Sequence, residues 1–512
     1  MFENITSYIL FQAQHRPDAL FAKDNDVVIS FSEAIVKINQ IAATFVRNGY
    51  VKGDRIGILG KNGNELLLLI LAASSLGIVS VPMNYRLTES ELTYIIDDAG
   101  CKAIFFDAEF ECLLNAFEST QFANVCLDNN SIANVGFTDW IYASESRSLP
   151  ILNLENDVFI QLYTSGTTGK PKGVLLTHGG FIANCLQTNL AHGVTTQANS
   201  RLLMVAPNFH AVGLSGALWA LMFGAGLIIH KDFDPKVVAH SIAVDKVNSL
   251  AVVPVMLQLI LSLPNIEETD FSSLALILYG GSPMAASLLQ KSMAVFNCKF
   301  AQGYGQTEAT TALTILSPEA HELAAAGQSK LLRSGGKAVI STALKIIDSY
   351  GNDCPIGKAG EVVAKGPQIM KGYWQREDAT KETIVDGWLR TGDIGELDEH
   401  GYLYIKDRLK DMIISGGENI YPAEVESVLL AHTDIFDCAV VGVEDKKWGE
   451  VPVAFVVTKP GLNELKINEY VREKLAGYKV PKKYRFVSQL PRNPSGKILK
   501  RELRLTLHGE NS

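Results

Sequence analysis

The sequence predicts an α/β protein whose large N-terminal domain is built from parallel sheets flanked by helices. Two observations indicate this fold class. The first is that short apolar runs rich in β-branched residues recur, with helical patterns such as Asn64–Leu76 and Met284–Phe296 between them. Strands that alternate with helices form parallel sheets covered on both faces. The predicted strands are Arg55–Leu59, Ala103–Phe106, Leu202–Ala206, Ser249–Val253 and Ala275–Tyr279.

The second observation is a change of pattern after Ile340. The segments Leu344–Asp353, Gly360–Gly366 and Gly401–Asp407 are alternating runs separated by Gly, Asn and Asp residues. Alternation with such turn residues is typical of antiparallel hairpins. The sequence therefore predicts a small β-barrel-like unit at the end of the N-terminal domain.

The last segment predicts a separate, small α+β domain. It begins with the motif DRLKD (Asp407–Asp411) and contains a helix, Pro422–Ala431, with proline in its first turn. Strands are predicted at Ala439–Val443 and Val453–Val457, and a second helix follows them. We therefore predict an N-terminal domain of residues 1–406 and a C-terminal domain of residues 407–512.

The composition limits the classes of function. With 512 residues and 47% hydrophobic content, the chain is long enough for a large core and more than one domain. Its net charge of -9 argues against general binding of nucleic acid. Seven dispersed cysteines without metal-ligand spacing indicate reduced, buried thiols, which predicts a cytoplasmic protein. A monomer and a homodimer are both compatible with this composition.

Two apolar stretches, Leu66–Val81 and Leu214–Ile229, resemble membrane spans at first sight. Both are shorter than the roughly 20 apolar residues that a bilayer requires. We predict instead that each is a buried helix running into a buried strand, so that the chain has no transmembrane segment. Peripheral contact with a membrane surface stays open.

The stretch YTSGTTGKPKGVLLTH (Tyr163–His178) predicts a phosphate-binding loop. It follows the apolar run Val158–Tyr163 and combines glycines, hydroxyl residues and lysines. Glycines allow the backbone to approach a ligand closely, and successive backbone N–H groups can form an anion nest. The glycine-to-lysine spacing differs from that of a Walker loop. The residues that carry this prediction are Thr164, Ser165, Gly166, Thr167, Thr168, Gly169, Lys170, Lys172 and Gly173.

This loop resembles the signature loop of the adenylate-forming (ANL) superfamily, which includes AMP-forming acyl-CoA synthetases. The resemblance covers essentially the whole chain, because further motifs follow in the expected order: YGGSPM, QGYGQTEAT, GWLRTGD, DRLKD and PRNPSGKILKREL. It implies an ATP-dependent ligase in which a carboxylate attacks the α-phosphate, pyrophosphate leaves, and CoA then takes the acyl group and releases AMP. ATP, Mg²⁺ and CoA are the implied co-substrates and metal.

The resemblance also implies the residues of the ATP site. Thr164 and Glu308 would serve the metal, and Lys497, His210 and Glu308 would be catalytic. Asp393 and Arg408 would meet the ribose. The other implied ATP-binding residues are Ser165, Gly166, Thr167, Thr168, Gly169, Lys172, Gly280, Gly281, Gln302, Gly303, Tyr304 and Thr307.

A mobile C-terminal domain is implied in the same way. Lys410 would be its hinge, and Lys497 would offset the repulsion between the two anionic reactants. The nearby Lys500 and Arg501 are interpreted as surface charge. The implied CoA-binding residues are Gly416, Gly417, Glu418 and Trp448, with core packing as the alternative interpretation of Trp448.

The segment PNFHAVG (Pro207–Gly213) would border the acyl group, with His210 at the mouth of the acyl pocket. Gly213, Gly280 and Gly303 would leave room for the acid. The segments Leu202–Ile229, Leu274–Ser287 and Phe300–Thr307 contain no Asp, Glu, Lys or Arg. Their composition predicts an uncharged tail such as that of a medium- or long-chain fatty acid. The alternatives are an aryl or alicyclic acid and a carrier-protein thiol as the acceptor. A regulatory nucleotide-binding protein without catalysis is disfavoured because Glu308 and Lys497 are both present.

Overall fold

The computed structural model describes residues 4–114, 123–131, 133–142, 154–164, 170–194, 199–281, 284, 286–416, 418–445, 447–492 and 498–508. The chain divides into two compact units. The first comprises Met1–Leu344 and Ala364–Leu389, and the second comprises Lys345–Val363 and Arg390–Ser512. The predicted α/β fold class is confirmed. The predicted domain boundary at Asp407 stays a prediction.

The first unit contains most of the regular structure. Its helices are α1 (Ile5–His15), α2 (Phe31–Arg47), α3 (Asn64–Ser75), α4 (Glu89–Ala99), α5 (Glu111–Leu114), α6 (Phe137–Tyr142), α7 (His178–His192), α8 (Ala211–Met222), α9 (Pro235–Val244), α10 (Pro254–Leu261), α11 (Ala286–Phe296), α12 (Pro318–Ala325) and α13 (Glu377–Thr383). Its first nine strands are β1 (Leu20–Asp24), β2 (Val27–Ser30), β3 (Arg55–Leu59), β4 (Val79–Pro82), β5 (Cys101–Phe106), β6 (Ala123–Cys126), β7 (Val135–Gly136), β8 (Val158–Thr164) and β9 (Lys172–Thr177). The next strands are β10 (Arg201–Met204), β11 (Gly226–Ile229), β12 (Ser249–Val252), β13 (Leu276–Gly280), β14 (Lys299–Tyr304), β15 (Thr314–Leu316), β16 (Lys337–Ala338), β19 (Gly372–Tyr373) and β20 (Ile384–Val385).

Two sheets organise this unit within the described residues. One has the strand order β16-β15-β14-β13-β12-β10-β11-β1-β2, and its central pairs, including β13 with β14, are parallel. The other has the order β19-β9-β8-β4-β3-β5-β6-β7, in which β8 and β9 form an antiparallel pair. The carboxyl ends of parallel strands form a crevice where ligands of open α/β sheets bind. The candidate residues after β13 and β14 lie at such strand ends.

The two membrane-like stretches are buried elements, as predicted. Leu66–Val81 corresponds to α3 followed by β4, and Leu214–Ile229 corresponds to α8 followed by β11. Both helices contribute to one apolar core cluster of the first unit. None of the described helices is long and apolar enough to cross a membrane.

Local sequence signals place the helix ends. Ser30 and Glu33 form a capping box at the start of α2, because each side chain accepts a hydrogen bond from the other residue's backbone N–H. Thr88 and Glu91 do the same for α4, which ends at Gly100 with a φ of 66°. These caps satisfy backbone donors that the first helical turn leaves without intrahelical partners.

The second unit combines β-hairpins with three helices in its described part. Three strands cross the boundaries between the two units: β17 (Ala343–Ile347), β18 (Gly360–Lys365) and β21 (Trp388–Leu397). The strands that lie wholly in the second unit are β22 (Leu403–Arg408), β23 (Ile413–Ser415), β24 (Glu418–Ile420), β25 (Ile435–Asp445), β26 (Gly449–Thr458) and β27 (Lys483–Phe486). Its helices are α14 (Pro422–Leu430), α15 (Glu464–Arg472) and α16 (Lys500–His508). Strands β23 to β27 form one sheet in the order β24-β23-β26-β25, with β27 paired to β26. Helices α14 and α15 pack on one apolar face of this sheet, and α16 packs on the other.

In this unit one prediction is confirmed with longer bounds, and one interpretation is wrong. The strands predicted at Ala439–Val443 and Val453–Val457 are the middle of a longer hairpin, β25 with β26. Lys500 is not surface charge, since its Nζ lies 2.8 Å from Glu426 Oε1 and both side chains are more than four-fifths buried. Burial is the largest influence on Glu426 and raises its pKa, while Lys500 opposes that shift. Arg501 is exposed, as predicted.

The cysteines agree with the sequence interpretation in most respects. All seven are free, and Cys101, Cys126, Cys185 and Cys438 are buried. Contrary to the expectation of buried thiols, Cys112 on the short helix α5 is exposed, and Cys298 and Cys354 are only half-buried.

Candidate active site

The predicted phosphate loop connects two paired strands. Thr164 ends β8 and Lys172 begins β9, and these two residues face each other across the antiparallel pair. A Cβ at Gly173 would lie 2.5 Å from Gln161 Nε2, so a side chain there would have to displace the buried Gln161 amide. The predicted residues between the strands, Ser165, Gly166, Thr167, Thr168 and Gly169, lie outside the described residues.

Gly280 and Gly303 are partners on the adjacent parallel strands β13 and β14. A Cβ at Gly280 would lie 2.7 Å from the carbonyl oxygen of Gly303, so the two strands present bare backbone at this point. Gly281 follows with a φ of 78°, a left-handed conformation that favours glycine. The structure therefore brings these three predicted residues together at one end of the sheet.

Gln302 is held by residues that the sequence interpretation did not include. The hydroxyl of Tyr279 donates to Gln302 Oε1 at 3.2 Å and lies 3.0 Å from His321 Nε2. Tyr279 belongs to the quoted motif YGGSPM, but His321 lies on α12 and had no motif to identify it. Tyr304 completes β14 after Gln302 and Gly303.

Glu308 lies in a short 3₁₀ turn, Thr307–Ala309, that packs against β9. The Tyr373 hydroxyl donates to Glu308 Oε1 at 2.9 Å. The next residue but one, Thr310, has a φ of 64°, and the Thr311 N–H donates to the Ala309 carbonyl at 2.7 Å. This is a γ-turn with positive φ, a strained conformation for a β-branched residue. Thr164 on β8 and Glu308 are thus presented by neighbouring parts of the first unit.

Asp393 and Arg408 form an ion pair in the second unit. They face each other across the antiparallel pair β21 and β22, and Arg408 Nε lies 2.8 Å from Asp393 Oδ1. Asp393 is only 4% exposed, whereas Arg408 is half-buried. The predicted ribose-binding residues are therefore neighbours, with the carboxylate already oriented by its partner. Lys410, the predicted hinge, is exposed just after β22.

Trp448 and Gly416 contact each other. A Cβ at Gly416 would lie 2.8 Å from Trp448 Cε3, and the Gly416 N–H donates to the Trp448 carbonyl at 2.7 Å. Trp448 is 44% exposed, which excludes the alternative that it is core packing. Glu418 begins β24 on the surface, and Gly417 lies outside the described residues.

Trp448 also lines a cavity of about 330 Å³ in the second unit. Three cationic side chains, Lys482, Lys483 and Arg485, share this lining with it. The sequence interpretation did not include these cations, although Lys482 and Lys483 lie in the segment AGYKVPKKY (Ala476–Tyr484) and Arg485 follows it directly. An aromatic ring beside three cations is chemically suited to a ligand that combines a base with phosphates.

His210 directly precedes α8 without a capping hydrogen bond from its side chain, and its ring lies against Phe209 with 4.6 Å between centroids. Burial, with a smaller contribution from the nearby Arg86, lowers the pKa of His210 to about 4. The imidazole is therefore neutral at physiological pH. Arg86 is a cation that the sequence interpretation missed, because it follows β4 rather than the segments that flank His210.

Gly213 lies in the first turn of α8. A Cβ there would overlap the backbone of Ala206 and Pro207, so close packing of the helix against this turn already requires glycine. Its predicted role in the acyl pocket stays a prediction. Lys497 lies outside the described residues, and the residues that flank its loop, Arg492 and Ile498, form an isolated antiparallel bridge.

Three buried histidines predict how stability changes with pH. Burial lowers the pKa of His178 to about 3 and that of His192 to about 4, and the pKa of His210 is similarly depressed. The unfolded chain protonates these residues below their ordinary pKa of about 6.5, whereas the folded chain does not. Stability is therefore expected to fall as the pH falls from about 6.5 toward 4, by up to about 1.4 kcal/mol per pH unit for each histidine.

Urea unfolding between pH 7.5 and 5 measures this effect. His178→Gln should make the dependence of the unfolding free energy on pH shallower, whatever it does to absolute stability. An unchanged slope would mean that His178 is not held neutral by the fold.

Comparisons with known proteins identify the family. The family model described as AMP-binding enzyme matches residues 10–374, and the AMP-binding enzyme C-terminal domain matches residues 424–497. The fatty acid–[acyl-carrier-protein] ligase ScoC of Streptomyces coeruleorubidus is 35% identical over 507 residues, which are 98% of this chain and 96% of the relative. A feruloyl-CoA synthase of an Amycolatopsis species is 36% identical over 505 residues, 98% of this chain and 99% of the relative. The long-chain-fatty-acid–CoA ligase FadD13 of Mycobacterium tuberculosis is 36% identical over 502 residues, 96% and 95% of the two chains.

A solved enzyme shares the fold. The o-succinylbenzoate CoA synthetase (MenE) of Bacillus subtilis, in complex with its acyl-adenylate OSB-AMP, has a TM-score of 0.85 at 33% identity and covers 97% of both chains. The same enzyme in complex with ATP and magnesium ion also has a TM-score of 0.85 at 33% identity, covering 97% of this chain and 98% of that one.

The fold and these comparisons define an enzyme of the acid–thiol ligase class. The chain belongs to the AMP-binding enzyme family, within the adenylate-forming superfamily. The predicted family and the predicted class of enzyme are both confirmed.

Proposed function

We propose that this chain joins a carboxylic acid with an uncharged tail, a medium- or long-chain fatty acid, to the AMP moiety of ATP and then transfers the acyl group to CoA. The observation that carries the choice of acid is the half-buried side of α8, where Val212, Ser215 and Gly216 present no charge. A Cβ at Gly216 would lie 3.8 Å from that of Ala251 on β12, so small residues line this side. A surface of small, uncharged residues suits an apolar tail.

An aryl or alicyclic acid is the alternative substrate. The Thr311 hydroxyl donates to Ser215 Oγ at 3.1 Å, so two hydroxyl groups lie beside the uncharged surface. Such groups can bind a polar ring substituent. The feruloyl-CoA synthase among the relatives and the o-succinylbenzoate enzyme among the solved structures support this alternative.

The residues of the site suit the adenylation step. Asp393, oriented by Arg408, would accept hydrogen bonds from the ribose hydroxyls, and Lys172 would hold the phosphates that leave as pyrophosphate. The neutral His210 would border the acid's carboxylate without forming an ion pair with it. Lys497 would contact both the acid and the α-phosphate and stabilise the charge that develops between them.

ATP and Mg²⁺ fit this donor set. Glu308 offers a hard oxygen ligand in a turn that packs against β9, and Thr164 offers a hydroxyl at the end of the adjacent strand. When bound, Mg²⁺ neutralises charge on the phosphate oxygens. The relative solved with ATP and magnesium ion supports ATP and Mg²⁺ as ligands of this chain.

CoA is the proposed acceptor. The cavity beside Trp448 carries Lys482, Lys483 and Arg485, and these cations suit the phosphates of CoA. The acyl-carrier-protein ligase among the relatives supports the alternative, a carrier-protein thiol. We further infer that the two half-reactions use different positions of the C-terminal domain, which pivots at Lys410. The cytoplasmic location stays a prediction.

An exchange assay tests the proposal. ATP–pyrophosphate exchange is measured with octanoate, palmitate, ferulate, cyclohexanecarboxylate and malonate, and thioester formation is then measured with CoA and with a phosphopantetheinylated carrier protein. We expect exchange with the fatty acids and thioester with CoA. If exchange occurs only with ferulate or cyclohexanecarboxylate, the substrate is an aryl or alicyclic acid rather than a fatty acid. If thioester forms only on the carrier protein, the acceptor is the carrier-protein thiol rather than CoA. No exchange with any acid would refute the proposed substrate.

A further inference from the structure

One segment of the first unit, Gln368–Trp374, connects two parts of the candidate active site, and we call it the bridging segment. On one side it pairs with β9, the strand that follows the phosphate loop. The Lys371 N–H donates to the Leu175 carbonyl at 2.9 Å, and the Trp374 N–H donates to the Gly173 carbonyl at 2.8 Å. The segment is therefore in register with the strand that begins at Lys172.

On its other side the bridging segment contacts the turn that carries Glu308. The Met370 N–H donates to the Glu308 carbonyl at 2.8 Å, and Thr310 Oγ1 donates to the Gln368 carbonyl at 2.8 Å. The second bond anchors the strained residue of the γ-turn. The same segment thus holds the turn by its backbone at two points and the phosphate-loop strand at two others.

Tyr373 is the residue of this segment whose side chain contacts both functional groups. Its hydroxyl donates to Glu308 Oε1 at 2.9 Å, and Lys172 Nζ lies 4.7 Å from its ring centroid. A cation at this distance over a tyrosine ring is attracted by it. The side chain is only 9% exposed, so it has little freedom to leave this position.

We propose that Tyr373 is a positioning residue that fixes the Glu308 carboxylate relative to the Lys172 ammonium, so that the metal ligand and the loop cation address the same triphosphate. The proposal rests on the proposed function for the roles of Glu308 and Lys172. The proposed role of Tyr373 requires no contact of its own with ATP or with the acid. It acts through the two groups that it separates.

The surroundings of Tyr373 support a fixed position. Its backbone N–H donates to Thr380 Oγ1 at 2.9 Å, and Thr380 Oγ1 donates to the Arg376 carbonyl at 2.9 Å. Arg376 NH2 lies 2.6 Å from Asp98 Oδ1, and the Tyr163 hydroxyl donates to Asp98 Oδ2 at 2.7 Å. Tyr163 directly precedes Thr164, so this chain of contacts returns to the start of the phosphate loop.

The Tyr373 hydroxyl donates a hydrogen bond to the Glu308 carboxylate. A protonated phenol that donates to a carboxylate holds it in one orientation. Removing a hydrogen bond to a charged group weakens the function it supports by about ten- to a hundredfold.

The test uses Tyr373→Phe, which removes the hydroxyl and keeps the ring over Lys172. The matched control is Tyr404→Phe in the second unit, whose hydroxyl donates to a different carboxylate, Asp398 Oδ2, at 3.2 Å. Binding of Mn²⁺ in the presence of α,β-methylene-ATP is measured by electron paramagnetic resonance of the free ion. The KM values for MgATP and for the acid are measured by pyrophosphate exchange.

We expect Tyr373→Phe to weaken Mn²⁺ binding and to raise the KM for MgATP about tenfold or more, while the KM for the acid stays unchanged. Tyr404→Phe should change none of these values. Mn²⁺ binding by Tyr373→Phe within twofold of the wild type would overturn the proposal, and so would an equal loss of affinity for the acid. If Tyr373→Phe does not fold, Thr380→Val decides, because it removes the acceptor of the Tyr373 N–H: an unchanged Mn²⁺ affinity would again overturn the proposal.

The two proposals fail separately. Wild-type protein without exchange activity for any acid would refute the proposed substrate, while a selective loss of Mn²⁺ affinity in Tyr373→Phe would still support the role of Tyr373. Normal exchange by the wild type with unchanged Mn²⁺ affinity in the variant would refute only the role of Tyr373.

Discussion

Lys497→Ala is expected to reduce acid-dependent ATP–pyrophosphate exchange by about a hundred- to a thousandfold, the loss typical of removing one preorganised group that stabilises developing charge. The acid's carboxylate and the α-phosphate are both anions, and they must come into contact for adenylation to occur. A cation that touches both reduces their repulsion and stabilises the phosphoryl oxygens as pyrophosphate leaves. Initial rates of exchange at saturating ATP and acid measure this effect.

Conversion of a preformed acyl-adenylate to the thioester should be nearly unaffected by the same change, because the proposal assigns that step to other residues of the C-terminal domain. Arg501→Ala is the matched control, since Arg501 is an exposed cation close to Lys497 in the sequence. Near wild-type exchange by Lys497→Ala would contradict the assigned role. An equal loss in both half-reactions would indicate a structural defect instead.

Glu308→Gln is expected to lower exchange by about a hundredfold, a loss comparable to that of one preorganised electrostatic contact, and to raise the Mg²⁺ concentration required for half-maximal activity. The amide keeps the size of the side chain and an oxygen that can accept from the Tyr373 hydroxyl. It lacks the negative charge that a hard divalent cation prefers. The variant therefore separates the charge of Glu308 from its position.

Titration of exchange activity with MgCl₂ at fixed ATP measures the shift. Glu319→Gln provides the control, because Glu319 is an exposed acid on the next helix, α12. A Glu308→Gln enzyme with an unchanged response to Mg²⁺ would show that Glu308 does not serve the metal.

The sequence predicted the elements whose signals are local. Strand β3 has the bounds predicted from its apolar run, and α3 ends one residue before its predicted end. The hairpin of β25 and β26 is longer than predicted, since charged residues such as Asp437 and Glu444 interrupt the apolar pattern while the backbone pairing continues. Hydrogen bonds between strands do not require apolar side chains, so the periodic pattern underestimates strand length.

The candidate site divides in the same way. Residues within motifs could be proposed directly, because their spacing is visible in the sequence. Tyr373 could not, since its partners Glu308 and Lys172 are distant in the sequence and meet only through the pairing of β19 with β9. Lys500 failed for a related reason. A lysine in a basic tail predicts exposure, and only the tertiary structure reveals the buried partner, Glu426.

The bare backbone at Gly280 and Gly303 has a consequence for divergence within this fold. A side chain at Gly280 would collide with the backbone of the next strand, so a substitution there must displace a strand of a nine-stranded sheet rather than reshape a pocket. Substitutions at Gly280 are therefore expected to disrupt the pairing of β13 with β14. The side of α8 formed by Val212, Ser215 and Gly216 has no such constraint from strand pairing. Under the proposed function, substitutions on this side of α8 are therefore expected to change the acid specificity at a lower cost in stability than substitutions at Gly280.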